Sequence, residues 1–299
     1  YPEETPIISG GIRMDCQWEP FHRGIFRAVI HVNDVDIDQL FVNGQRYRMA
    51  RYPNFNPNAK YFGGTSGDAI STQRIQSWAN PLGGYVHALH EAMWGSKHYR
   101  IVGMNEDGTL KLQGGWQENR GGGFDPFFRG GYHKDFLFVE NIHEELDAPG
   151  EWFLDREHMI LYVIPQPGDL LEQAEVIGAK TRELIVFQGN EQFPVHHILL
   201  KNLHFKHTVR IFMEPYERLL RGDWSIARLA AVRFQGTEDT IIEDCSFEDL
   251  GGNGVMLDQY NRRVSVRGCR FNRLGESGVC VVGGVDAVRS PSIEYSHTL

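Results

Sequence analysis

Cysteine is scarce, long apolar runs are missing and positive charge is in the minority. The 299 residues include four cysteines (Cys16, Cys245, Cys269 and Cys280) and no CxxC pair, so the paired thiolates of a structural zinc site are not expected. No stretch approaches the roughly 18 consecutive apolar residues that a membrane-spanning helix needs. A formal charge of -9 leaves no basic footprint for nucleic acid. No secretory leader is visible, yet the chain opens at Tyr1 rather than Met, which leaves room for a removed upstream segment. "HALHEAMWGSKH" lacks the HExxH order of a zinc protease. The glycine-rich "GGWQENRGGGFDPFFRGGYHKD" does not follow a strand and open a helix as a phosphate-binding loop would. It reads as a loop of a β-sandwich, bordering a substrate groove. Neither a metal nor a cofactor is expected.

Glycine, by contrast, is plentiful. There are 33 glycines, where average usage of about 7% would give roughly 21. With 18 Phe and 11 Tyr, this points to a β-rich chain with many tight turns. Near the C-terminal end, Cys245 returns as Cys269, Phe247 as Phe271, Leu250 as Leu274, Gly254 as Gly278 and Val255 as Val279, each 24 residues later. Within the repeat, "TIIEDCSF" and "VSVRGCRF" alternate apolar and polar residues like half-buried strands. "GGNG" and "GESG" supply turns in which glycine permits positive φ, and "VML" and "VCV" are short strands. A period of this length with several short strands is the signature of a right-handed parallel β-helix. Equal positions then stack about 4.8 Å apart, so Cys245 and Cys269 should be inward, adjacent and reduced.

Upstream, "IVFQG" at Ile185 matches "VRFQG" at Val232, and the segment from Phe205 to Val232 is an excursion from the coil. Such excursions usually border the binding face of a solenoid. The runs "IFRAVIHV", "QLFVNGQRYRMARY", "HYRIVGM", "TLKLQGGW" and "EWFLDREHMILYVIP" have no such period and read as an antiparallel β-sandwich. The expected organisation is a coil rung at 1–23, an inserted sandwich at 24–165 and coils at 166–299.

"QLFVNGQRYRMARYPNFNP", "ENIHEELDAPGEWFLDREHMILYVIP" and "YNRRVSVRGC" with "GVCVVGG" together resemble secreted bacterial β-helix proteins of glycoside hydrolase family 141, over nearly the whole chain. The resemblance implies glycan hydrolysis, since the family's activities include α-L-fucosidase and xylanase, but it does not fix the sugar. It also implies further coils before and after this chain, so the rest of its own solenoid is an expected partner beside a plant or algal oligo- or polysaccharide. A secreted, periplasmic or cell-surface location is expected with it. Family catalytic carboxylates are expected in later coils, beyond Leu299, and none is carried onto a numbered position here.

Stacking of coils tests charged pairs directly. Glu243 on Arg267, Asp249 on Arg273 and Arg262 on Asp286 are each 24 apart and read as outer salt-bridge ladders. Asp258 follows "VML", stacks near Val282 and has no cationic partner in the next coil. It is therefore either an active-site acid or a solvated turn residue. Glu276 stacks over Gly252 at the other end of the short strand, too far from Asp258 to be its working partner. Asp223, in the excursion, is the other candidate acid. If none of these three acids works, the whole pair is expected beyond Leu299. Trp224, Tyr260, Asn261 and Arg262 offer an aromatic face and hydrogen-bond donors to a sugar. His204 and His207 read as rung or surface residues. The leading expectation is a glycosidase using two carboxylates. A polysaccharide lyase on the same scaffold and a non-catalytic glycan-binding solenoid remain open.

Overall fold

A computed structural model describes residues 4, 6–30, 37–116, 131–218 and 225–284. The fold is all-β. Among the described residues the helical content is the single turn Thr72–Ile75 and the two 3-10 turns His143–Glu145 and Leu171–Gln173.

The C-terminal third is built from parallel strands. Ile185–Gln188, Ala230–Glu243, Asn253–Arg267 and Val279–Val282 pair in that order, so that Ile185, Val232, Val255 and Val279 form one column and Phe187, Phe234, Leu257 and Val281 the next. A second parallel sheet runs Ile7–Ser9, His204–Lys206, Ser246–Glu248, Arg270–Asn272. It stacks Ile8, Phe205, Phe247 and Phe271 in register. The Phe205–Phe247 and Phe247–Phe271 ring centroids lie 4.8 and 4.9 Å apart and nearly parallel, which is the strand spacing of a sheet. Buried Val232, Phe234, Phe247, Val255 and Cys245 form one apolar core, with Cys269 packed against it. Both cysteines are free thiols.

The corners of these turns follow their own period. His197, Asn202 and His207 have φ of 59°, 55° and 62°, Asp239, Asp244 and Asp249 have 49°, 53° and 55°, and Arg263, Gly268 and Arg273 have 53°, 63° and 52°. Each set steps by five residues, and the last two sets are 24 apart. A single left-handed residue reverses the chain between short strands, and Asn, Asp and His tolerate that conformation better than most residues.

The turn glycines do something else. None of Gly251, Gly252, Gly254, Gly275 or Gly278 has positive φ, which corrects the reading of "GGNG" and "GESG". A Cβ on Gly251 would lie 2.2 Å from the Val209 carbonyl carbon, and one on Gly275 would lie 2.1 Å from the Gly251 carbonyl oxygen. At Gly251, Gly254 and Gly275 one turn of backbone rests directly on the next, whereas Gly252 meets the Ile211 side chain and Gly278 the Phe271 ring.

Apart from the short antiparallel pair Glu217–Arg218 with Ser225–Ile226, the remaining strands form two largely antiparallel sheets. Arg51–Tyr52, Tyr85–His90, Ser96–Met104, Leu110–Gly114 and Tyr132–Glu140 make a five-stranded sheet over a core that includes Val86, Ile101 and Val139. An eight-stranded sheet is mixed, because Gln45–Met49 runs parallel to Glu151–Asp155 while its other pairs are antiparallel. It draws in Gly11–Met14 and Val176–Ala179 from either side of the 24–165 span. Trp152, Leu40 and Leu161 are fully buried beneath it.

The excursion ties the two halves together. Arg210 donates to Asp38 through Nε at 3.2 Å and to Glu140 through Nη1, and Phe212 packs its ring against Tyr85, His87 and His98. Trp116 donates its indole N–H to the Glu214 carbonyl at 2.9 Å.

Candidate carboxylate site on the parallel sheet

Alternation along Asn253–Arg267 turns Val255 and Leu257 into the core and Met256 and Asp258 to the other face. Parallel pairing extends the second face into a row of Gln188, Gln235, Asp258 and Val282. Asp258 is only 2% exposed, because the chain around Ile226 to Ala230 folds over this face. Its carboxylate accepts from Arg228 Nη1 on one oxygen and from Arg233 Nη1 at 3.5 Å on the other. Arg228 Nε also donates to Glu217 at 2.6 Å, and Arg233 Nε to Glu183 at 2.6 Å. The result is an unbroken chain of alternating charge: Glu217, Arg228, Asp258, Arg233, Glu183.

This corrects the expectation that Asp258 lacks a cation. The next strand offers Val282 at that position. One partner comes from the preceding strand, where Arg233 stands two residues before Gln235 on the same outward face. That signal was present in the sequence. Arg228 carried none, since it reaches Asp258 from the excursion.

Two polar atoms at the site remain open. Arg228 Nη2 and Glu217 Oε1 are buried without a hydrogen-bond partner. Glu217 and Asp258 are separated by two hydrogen bonds and the width of one guanidinium, which sets an upper limit of about 7 Å between the two bonded oxygens.

Glu276 sits elsewhere. Its amide meets the Gly252 carbonyl at 3.4 Å, and its carboxylate accepts from Tyr216 Oη. Surrounding protein raises its pKa, while the Tyr216 and Asn253 hydrogen bonds pull the other way. Asn253 and Asp258 are five strand residues apart, roughly 16 Å, beyond the ~5–9.5 Å of glycosidase pairs. Tyr216 and Glu217 are adjacent, so one short piece of the excursion reaches both acids.

Asn261 does not face a groove. It is 1% exposed, its Oδ1 accepts from Thr237 N and Oγ1 at 3.2 and 2.7 Å, and its Nδ2 donates to the carbonyls of Phe234 and Asp258 at 3.1 and 2.9 Å. It staples the irregularity by which pairing between the two long strands shifts from 23 to 24 residues. All its hydrogen-bonding capacity is committed, which corrects its assignment to substrate. Tyr260 donates to Glu238, beside exposed Arg262. Asp223, Trp224 and Asp286 lie outside the described residues, as does most of the glycine-rich loop. Leu299 lies outside them too, and with it the expectation of a catalytic pair in the coils beyond it. Glu243–Arg267 and Asp249–Arg273 pair at 2.5 and 2.8 Å. His207 shares a hydrogen bond with Ser9 at 3.0 Å, and His204 lies 3.2 Å from Glu248. Among the described residues, no three His, Cys, Asp or Glu side chains converge as a metal site requires, and no helix is long and apolar enough to cross a membrane.

No protein-family model matches the chain, and no curated protein matches it. A solved chain named "Glycoside hydrolase" superposes with a TM-score of 0.65 at 22% identity, over 89% of this chain and 52% of that one. At that identity the likeness shows a shared fold. A second solved chain, titled "The complex structure of XylC with xylose", aligns over 95% of this chain and 44% of its own, with 12% identity and a TM-score of 0.34. The chain thus spans about half the length of each solved structure that it matches.

Proposed function

We propose that the parallel sheets are the coils of a right-handed parallel β-helix and that the chain is part of a glycoside hydrolase acting on a plant or algal polysaccharide. The observation that carries this reading is the Arg228 guanidinium, which holds Asp258 and Glu217 together while Arg228 Nη2 and Glu217 Oε1 stay unpaired. A sugar hydroxyl can accept from the first and donate to the second. Two carboxylates at that separation match the general spacing of glycosidase acids. Shared fold with a chain named as a glycoside hydrolase adds to the reading, as does the resemblance to family 141 with its fucosidase and xylanase activities. On this reading Asp258 is the participating acid of this segment. Glu217 joins Asp223 and the acids of later coils, beyond Leu299, as candidates for its partner, and Tyr260 and Arg262 border the groove. The remaining coils of its own solenoid complete the enzyme, and its place is outside the cell, where such polysaccharides are met.

Asp258→Asn in the full-length protein, assayed on fucosylated and xylan-type oligosaccharides, tests it. Turnover should fall at least about a hundredfold, and unchanged turnover with an unchanged fold rejects Asp258. Arginines at the site also suit a lyase neutralising a uronate, and an ultraviolet-absorbing unsaturated product would decide for that chemistry.

A further inference from the structure

A cleft of about 660 Å³ opens between the two antiparallel sheets, and none of the residues around Asp258 lines it. Its size suits a small ligand, for which sites of roughly 300–1,000 Å³ are usual. One wall carries two unsatisfied polar groups. Asn141, 4% exposed and in the left-handed region at φ 60°, donates Nδ2 to the Gly83 carbonyl at 3.0 Å, while its Oδ1 has no partner. Two residues on, His143 Nε2 is also without one. Buried polar groups are nearly always paired, so two orphans on one wall point to a missing partner. Beside them the His143 ring meets Phe153 and Tyr162 edge-on at 5.2 and 5.0 Å; Tyr162 is buried in the core and half-buried Phe153 gives the wall its aromatic surface. Leu82, 60% exposed, lines the same cleft.

The charges lining the cleft do not select an ion. Acids and arginines both contribute, and two of the three acids are engaged: Asp155 accepts from the Glu157 and His158 amides and from His158 Nδ1, and Glu144 from the Ala79 amide. Aromatic faces beside hydroxyl-seeking amide and imidazole groups are what a pyranose ring uses. We propose that this cleft is a second glycan-binding site, which takes a neutral oligosaccharide with a hydroxyl on Asn141 and His143 and a sugar face on Phe153. It does not rest on the reading of Asp258, because binding here requires no turnover.

The test is titration of the full chain, labelled with ¹⁵N-histidine, with xylotetraose, cellotetraose and mannotetraose, and with trigalacturonate as the anionic comparison. The His143 resonances should move with at least one neutral sugar, and do so equally in Asp258→Asn. His143→Ala should weaken that binding about tenfold, the loss of one hydrogen bond. The exposed lining variant Gln113→Ala, which leaves the core untouched, should weaken it to a smaller extent. Still His143 resonances throughout the neutral series, tighter binding of trigalacturonate, or affinity indifferent to both variants would overturn the proposal.

Discussion

Arg228 and Asp258, 30 positions apart in sequence, form an ion pair in which the carboxylate side chain is 3% exposed. With Arg233 on its other oxygen, Asp258 is enclosed by two guanidinium groups, each tied in turn to a further acid. Removing one charge from such a chain leaves the others uncompensated, whereas replacing a whole buried pair by apolar groups can be nearly neutral.

That distinction separates a structural from a catalytic Asp258. Asp258→Asn should cost about 3 kcal/mol of stability as well as turnover. Arg228→Met combined with Asp258→Leu should recover most of the stability and none of the turnover. Urea unfolding and oligosaccharide assays of the full-length protein check the two halves separately. Recovery of activity in the double variant would assign Asp258 to the scaffold alone.

Gly251→Ala should be among the most damaging small changes in the parallel-stranded part of the chain. The new Cβ would press on the Val209 backbone, which cannot yield as a flexible side chain does, so a loss of about 2–4 kcal/mol is expected. Gly24→Ala, at φ 79° with nothing within 4 Å, should cost only about 1 kcal/mol from its backbone conformation. Thermal unfolding of the two variants should rank them clearly.

His207 makes the fold acid-sensitive. Burial, and after it the charge of Lys206, pushes its pKa down to about 4, against about 6.5 in an unfolded chain. Below pH ~6.5 the unfolded state takes up a proton that the folded state does not, so stability is complete above that pH and declines as pH falls toward 4. The decline is bounded by about 3 kcal/mol. His207→Asn keeps a residue that tolerates φ 62° and should flatten the slope between pH 6.5 and 4 in urea midpoints.

Arg210→Met should strand Asp38 and Glu140, both packed against the excursion, at a cost of about 3–5 kcal/mol near neutral pH. Burial alone would raise the Glu140 pKa, but Arg210 and His87 hold it well below the usual carboxylate range. A depressed carboxylate contributes stability above its unfolded pKa of about 4.3, and that contribution is lost as pH falls. The gap between wild type and Arg210→Met should therefore narrow below pH ~4. A gap independent of pH would rule out the charge pairing as its cause.

Much of the pairing in the parallel sheets was legible because neighbours there are set by a period. Once 24 residues make one turn, Phe247 must meet Phe271 and Glu243 must meet Arg267, and both do. The left-handed corners at Asp239, Asp244 and Asp249 were equally periodic, but a positive φ at Asp or Arg leaves a fainter mark than at glycine. At Gly251, Gly254 and Gly275 the contact of one backbone turn with the next, and not conformational freedom, is what requires glycine. That contact exists only once the turns are stacked.

The sequence by itself determined the all-β character, the 24-residue ladders and which strand face is apolar, because these follow from alternation and repetition along the chain. Only the tertiary structure decided which groups surround Asp258 and where Asn261 points. Arg228 and Glu217 reach the site through the excursion, whose path obeys no period. Asn261 turns inward because an extra residue in its strand shifts the register and frees backbone carbonyls that its amide can bind. A one-residue shift changes the face on which a side chain lies, and nothing in the spacing of residues announces it before the strands are paired.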